Sequence, residues 1–301
     1  MSQGRKQERK GGTFTAVYTP FQADGRIDEA AFRAQCERLV AAGSGLVPCG
    51  TTGETPSLTI EEWEALVRIA VEVGKGRVLV IPGTGSNDTA DTIRTTRRAA
   101  ELGADAALVV VPPYNKPPQR SLLAHFRAVA DQGGLPILLY NVPGRCASNM
   151  TVETTLELAK DPRFIGIKEA SGILGLFEAL VMGAPEGFMV LSGDDGWTMP
   201  LMALGGDGIV SVVANVAPDR VVALVETARR GDFVAARRLH YELKPLVDAL
   251  FQVSNPIPVK YVASLLGHAR PDVRLPLTAD ALEEPLAAKL QALVRDLELG
   301  A

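Results

Sequence analysis

A lysine closes the apolar run FIGIK at residues 164–168, just before EASG. Burying a lysine is costly, because its charge loses hydration. Burial therefore favours the neutral amine. A neutral amine attacks carbonyl carbon and forms a Schiff base, whose iminium draws electrons and lets a proton leave the adjacent carbon. That chemistry needs a proton shuttle and a holder for a carboxylate. Polar groups of the right types stand at the ends of other apolar runs: CGTTGE (Cys49–Glu54), PPYNKPP (Pro112–Pro118), YNVPGR (Tyr140–Arg145) and SGDD (Ser192–Asp195). Tyr140 is the candidate shuttle, Thr51 could relay protons with it, and backbone N–H groups of the GTTG turn could hold an anion. Each also has a plainer reading when taken alone. Lys168 could extend along the surface to water, GTTGE could be a turn and cap, Tyr140 a core tyrosine, Arg145 a surface arginine, and Asp194 and Asp195 loop or capping residues. The combination is more specific than its parts.

These residues need a scaffold that brings strand ends together. Eight short apolar runs recur: TFTAVYT (13–19), GLVPC (45–49), VLVIP (78–82), ALVVV (106–110), PILLY (136–140), FIGIK (164–168), FMVLS (188–192) and GIVSV (208–212). They are nearly continuous in apolar character, as in parallel strands buried on both faces. Helical patterns lie between them. Phe32, Cys36, Leu39 and Val40 share one face of a helix over 28–43 that can stop at Gly43. Thr59 and Glu62 form a capping box, with Gly74 as the expected stop, and Asp88 can cap the next helix. Eight such units predict an α/β fold, a (β/α)8 TIM barrel, in which side chains at the C-terminal strand ends converge. A doubly wound sheet is the structural rival, but no GxGxxG follows the first run, and GTGSN at 83–87 has only two of the glycines. Helices are expected at 218–230, 232–252, 257–266 and 278–298. The chain thus divides into a disordered tail (1–12), a barrel (13–230) and a C-terminal helical extension (231–301).

Composition narrows the class. The 301 residues are 47% hydrophobic and 22% charged, which suits a large core. A net charge of −4 supplies no basic field for nucleic acid. No apolar run approaches the roughly 20 residues of a membrane span. The start, MSQGRKQERKGG, is polar and basic and does not read as a secretory signal. The three cysteines follow no metal-ligand or disulfide spacing and suit a reducing cytoplasm. The three histidines are isolated, so no metal site is expected.

GTTGE, YNVPGR, GIKEASG, GGDGIVSVVANVAP, NPIPVK and RLPL, in this order from about Thr13 to Leu277, resemble the dihydrodipicolinate synthase (4-hydroxy-tetrahydrodipicolinate synthase) family of pyruvate-dependent class I aldolases. The resemblance implies a lyase that joins pyruvate to L-aspartate 4-semialdehyde on the way to lysine and diaminopimelate. It makes Lys168 the Schiff-base residue. Tyr140 and Thr51 become members of a proton relay completed by Tyr114 from a neighbouring subunit. Thr52 would bind the pyruvate carboxylate and Arg145 the semialdehyde carboxylate, whose geometry suits a guanidinium fork. Gly193 and the Val210 carbonyl would line the site. The family implies a homotetramer of two tight dimers and neither metal nor organic cofactor.

Three positions depart from lysine-inhibited members, which carry His or Glu where this chain has Ile60 and Trp63, and tyrosine where it has Pro113. Weak or absent inhibition by lysine is therefore expected, with Asn87 and Asp91 as remnants of that site. RCASNM after the arginine also differs from the usual RTG. Two alternatives stay open: a related aldolase or dehydratase acting on a 2-keto-3-deoxy sugar acid or N-acetylneuraminate, and a ligand-binding homologue without catalysis.

Overall fold

The structure is a computed structural model and describes residues 11–300. Residues 1–10 of the expected tail lie outside the described residues, and Gly12 already belongs to the first strand. Among the described residues there are seven strands: β1 (Gly12–Ala16), β2 (Gly45–Val47), β3 (Ala107–Val110), β4 (Ile137–Asn141), β5 (Phe164–Glu169), β6 (Met189–Ser192) and β7 (Gly208–Ser211). They pair in parallel in the order β2-β1-β7-β6-β5-β4-β3. Among the strands, the one expected at 78–82 is the correction. It bridges both sheet edges, Leu46 with Val80 and Gly83 with Leu108, without forming a ladder. The reason is local. The Val80 N–H is taken by the Asp105 carboxylate at 2.8 Å, and Pro82 has no N–H to give. The remaining bonds, such as Leu46 N–H to Leu79 O (2.9 Å) and Leu108 N–H to Pro82 O (2.9 Å), still join this segment to β2 and β3. The result is a nearly closed α/β barrel.

Both faces of the strands are buried, as the continuous apolar runs require. Along β4, Leu138 and Tyr140 join an inner cluster with Phe14, Val47, Leu191 and Val210. Ile137 and Leu139 turn outward onto Phe126, Phe164 and Phe177. This alternation puts every second residue of a strand inside the barrel.

The helices largely follow the expected patterns. In Glu29–Ala41, Asp28 caps the start, and Phe32, Cys36, Leu39 and Val40 are buried. Gly43 follows at φ +86°. Thr59 and Glu62 form the expected capping box of Ile60–Gly74, and Asp88 caps Thr89–Glu101. Gly74 belongs to the helix rather than stopping it: a Cβ there would lie 2.5 Å from Val80 Cγ2, so its smallness serves packing. The C-terminal helices are Pro218–Arg229, Phe233–Leu250, Ile257–Leu265 and Glu284–Asp296. The last starts later than 278 because a 3-10 turn, Ala279–Ala281, comes first, and Pro285 falls in the first turn of the helix.

Candidate active site

Lys168 lies on β5 in register with Tyr140 of β4 and Leu191 of β6. Its side chain is only 5% exposed, and Nζ sits 4.1 Å from the Tyr140 ring centroid. Among the described residues no carboxylate pairs with it. The contrast is Lys260, fully buried, whose Nζ meets Glu54 Oε1 at 2.8 Å. Burial pushes Lys260 down to about 8 despite that partner. The carboxylate nearest Lys168 in sequence, Glu169, points away: it accepts from Asn141 Nδ2 (2.9 Å) and Ser171 N–H (2.7 Å). Burial raises its pKa. An amine held in an apolar barrel without a counter-charge is suited to nucleophilic attack.

Gly193, just after β6, is packed on this lysine. A Cβ there would stand 3.0 Å from both Cγ and Cε of Lys168 and 2.7 Å from Ala170 Cβ. The Gly193 N–H donates to Glu169 O at 2.7 Å, which fixes the approach.

The CGTTGE segment is a tight loop beyond β2. Cys49 and Glu54 both take left-handed φ, +54° and +55°, a strain that local bonds sustain. Thr19 Oγ1 donates to Gly53 O (2.7 Å), and Thr55 Oγ1 to Gly50 O (3.1 Å) and to Cys49 O. Thr52 is buried, and its Oγ1 accepts from Asn255 Nδ2 at 2.8 Å.

Thr51, Tyr140 and Arg145 line one cavity of about 720 Å³, together with Ile60, Trp63, Asn87, Asp91 and Pro113. Thr52, Lys168, Gly193 and Val210 are not among its lining residues. Val210 is fully buried on β7, in the same inner cluster as Tyr140. Tyr114 is not brought in either: it is 86% exposed and held at φ +78°. Arg145 is exposed on the short helix Pro143–Cys146. The turn after it is built without the family's RTG. Ala147 takes φ +53°, and Asn141 secures the segment by accepting from Met150 N–H (3.0 Å) and donating to Asn149 Oδ1 (2.8 Å).

Asp194 and Asp195 have the loop roles anticipated for them. Asp194 accepts from Gly196 N–H. Asp195 is buried and accepts from Ser211 Oγ (2.5 Å), Val212 N–H (2.9 Å) and Val213 N–H (3.4 Å), tying the β6 loop to the β7 loop. Burial pushes its carboxyl up to about 6. Among the described residues no three His, Cys, Asp or Glu side chains gather to hold a metal ion.

Sequence reasoning gave no role to Asn255, Lys260 or Asn215. The first two lie inside the quoted NPIPVK, which was the only signal for them. Asn215 donates to Ala16 O at 2.8 Å and accepts from Tyr18 N–H at 3.3 Å, holding the chain beyond β1.

The sequence matches the Dihydrodipicolinate synthetase family over residues 9–296. It is 48% identical over 282 residues to the 4-hydroxy-tetrahydrodipicolinate synthase of Thermomicrobium roseum, covering 93% of each chain. It is 46% identical over 283 residues to that of Maridesulfovibrio salexigens, covering 93% of this chain and 96% of the other. The crystal structure of dihydrodipicolinate synthase from Aquifex aeolicus superposes with a TM-score of 0.93 at 41% identity, covering 96% of this chain and 99% of that one.

Proposed function

The chain belongs to the dihydrodipicolinate synthetase family, and on that premise we propose that it is a 4-hydroxy-tetrahydrodipicolinate synthase condensing pyruvate with L-aspartate 4-semialdehyde. The observation that carries the reading is Lys168: a buried amine without an ion-pair partner among the described residues, in register with Tyr140. Tyr140 in turn shares a cavity with Thr51 and Arg145.

The Lys168 amine attacks C2 of pyruvate. Water leaves as the carbinolamine oxygen is protonated, giving an iminium. Loss of a C3 proton gives the enamine, which attacks the aldehyde carbon of the semialdehyde while the new alkoxide takes a proton. The semialdehyde's own amine then displaces Lys168 from C2, closing the ring and freeing the enzyme. Tyr140 and Thr51 carry the protons, Thr52 holds the pyruvate carboxylate, Arg145 holds the semialdehyde carboxylate, and Gly193, packed on Lys168, and Val210, in the inner cluster with Tyr140, complete the site. The iminium is the electron sink, so this route calls on no metal or organic cofactor.

Tyr114 completes the relay from a neighbouring subunit in this reading, and the protein works as a homotetramer, a dimer of dimers. The exposed, strained setting of Tyr114 supports that role. The catalytic barrel, opened by β1 at Gly12, runs to about residue 230, and the helical extension follows from residue 231. A cytoplasmic setting accords with three free, buried cysteines. No helix among the described residues is long and apolar enough to cross a membrane.

The test is a condensation assay with pyruvate and L-aspartate 4-semialdehyde, coupled to an NADPH-dependent reductase. Sugar acids are offered in parallel with detection of released pyruvate. Semialdehyde turnover that vanishes in Lys168→Ala supports the proposal. Pyruvate release from a sugar acid without semialdehyde turnover replaces it with the sugar-acid aldolase reading. No pyruvate adduct and no turnover at all leaves a binding protein.

A further inference from the structure

The loop expected to hold the pyruvate carboxylate is gripped from the far end of the chain. Asn255 Nδ2 donates to Thr52 Oγ1 at 2.8 Å, across 203 positions of sequence. Five residues on, Lys260 Nζ meets Glu54 Oε1 at 2.8 Å, while Glu54 Oε2 accepts from Arg274 N–H at 2.9 Å. The two polar side chains of NPIPVK therefore take hold of positions 52 and 54, on either side of Gly53.

The bond to Thr52 has a direction, and the direction has a consequence. A threonine hydroxyl has one hydrogen to give. Where its oxygen already accepts from an amide N–H, that hydrogen must turn elsewhere. Among the described residues nothing accepts it, although Thr52 is only 2% exposed. Asn255 reaches Thr52 through its amide nitrogen, and its Oδ1 is buried and without a partner. A buried hydroxyl with an ungiven hydrogen beside the site matches a carboxylate, which only accepts.

We propose that Asn255 is a positioning residue that fixes the Thr52 hydroxyl as a donor to the carboxylate of pyruvate. This rests on the function proposed above. Lys260 and Glu54 keep the two segments in contact, and Asn255 sets which way the proton faces. The effect belongs to pyruvate and not to the semialdehyde, whose carboxylate is assigned to Arg145.

Asn255→Asp replaces the donor with an acceptor. The new carboxylate takes the Thr52 hydrogen for itself and faces the substrate with like charge. Asn255→Ala only frees the hydroxyl to rotate. Steady-state kinetics should show KM for pyruvate raised roughly tenfold or more in Asn255→Asp, and less in Asn255→Ala, from the loss of a hydrogen bond to a charged group. KM for the semialdehyde should stay within about twofold in both, the ordinary scatter for a site without contact. Thr52→Val, alone and combined with Asn255→Ala, provides the second readout. If Asn255 acts through the hydroxyl, the double variant has the pyruvate KM of Thr52→Val alone. This cycle still decides the matter if Asn255→Asp does not fold.

Pyruvate KM within twofold of wild type in both Asn255 variants overturns the inference, as does a double variant whose effects simply multiply. So does an equal rise in both KM values, which marks general loosening of the loop. Each of these requires a wild-type enzyme that turns over the semialdehyde. A wild type that forms no pyruvate adduct overturns the proposed function instead, so the two failures are distinguishable.

Discussion

Gly193→Ala adds one methyl group at the most crowded point beside Lys168. The new Cβ would stand 2.7 Å from Ala170 Cβ and 3.0 Å from Cγ and Cε of Lys168. Comfortable carbon contacts begin near about 3.5 Å, so something has to yield by roughly half an ångström or more. The Gly193 backbone is held by its 2.7 Å bond to Glu169 O, and Ala170 Cβ is fixed to the main chain. The lysine stem is the part free to move, and it carries the amine. Overpacking of this kind costs about 1–3 kcal/mol. A misplacement approaching 1 Å at the reacting atom costs up to about a hundredfold in rate. Gly193→Ala should therefore lower kcat by roughly 10- to 100-fold and slow borohydride trapping of the pyruvate adduct to a similar degree. Denaturant unfolding should show only the modest loss that overpacking gives. A folded variant whose kcat stays within about threefold would refute the reasoning, because a displaced Lys168 would then not matter to the reaction.

Inhibition by lysine should be weak or absent. The Trp63 indole N–H is already donated to Gly83 O at 3.0 Å, Ile60 has no polar group, and Pro113 has no hydroxyl; half-inhibition at sub-millimolar lysine would contradict this. His125 is buried against Phe126, with Nδ1 2.9 Å from Thr89 Oγ1, and burial lowers its pKa from 6.5 to about 4. The unfolded chain takes up this proton below about pH 6.5 while the native state resists until about pH 4, so the stability is whole above that window and is lost on acidification. The loss by about pH 5 is about 2 kcal/mol. Urea unfolding should show this slope in wild type and a flatter one in His125→Asn; parallel slopes would count against it. Asp195→Ala leaves the Ser211 hydroxyl and the Val212 and Val213 N–H groups without their acceptor. It should cost about 3 kcal/mol or more in unfolding free energy and lower kcat by loosening the loop after Val210. A neutral result in both assays would show that the loops do not depend on this carboxylate.

The barrel was legible because strands buried on both faces read as continuous apolar runs, and seven of the eight runs contain strands. The run at 78–82 shows what such a pattern misses: Pro82 and the Asp105 carboxylate remove ladder bonds without changing hydrophobicity. Cap residues at 59 and 88 were legible because a cap is local. Gly74 misled for the opposite reason, since the atom that requires glycine belongs to Val80, outside the helix. At the site, Lys168, Tyr140, Thr51 and Arg145 stood out by type and by their place at strand ends. Thr52, Tyr114, Gly193 and Val210 came from the family resemblance, because glycine contacts, backbone carbonyls and neighbouring subunits leave no periodic trace. The two buried lysines were not separable in the sequence: whether Glu54 meets Lys260 or leaves it bare depends on packing across 206 positions. Asn255 was hidden in the same way.

That pair of lysines also frames the most direct test. The protein is incubated with pyruvate, reduced with borohydride, digested and mapped by mass spectrometry. A reduced pyruvate adduct on the peptide that contains Lys168, absent from Lys168→Ala and present in wild type without any second substrate, is the result expected of an unpaired buried nucleophile. An adduct on the Lys260 peptide, or one that persists in Lys168→Ala, would contradict the assignment of the chemistry to β5.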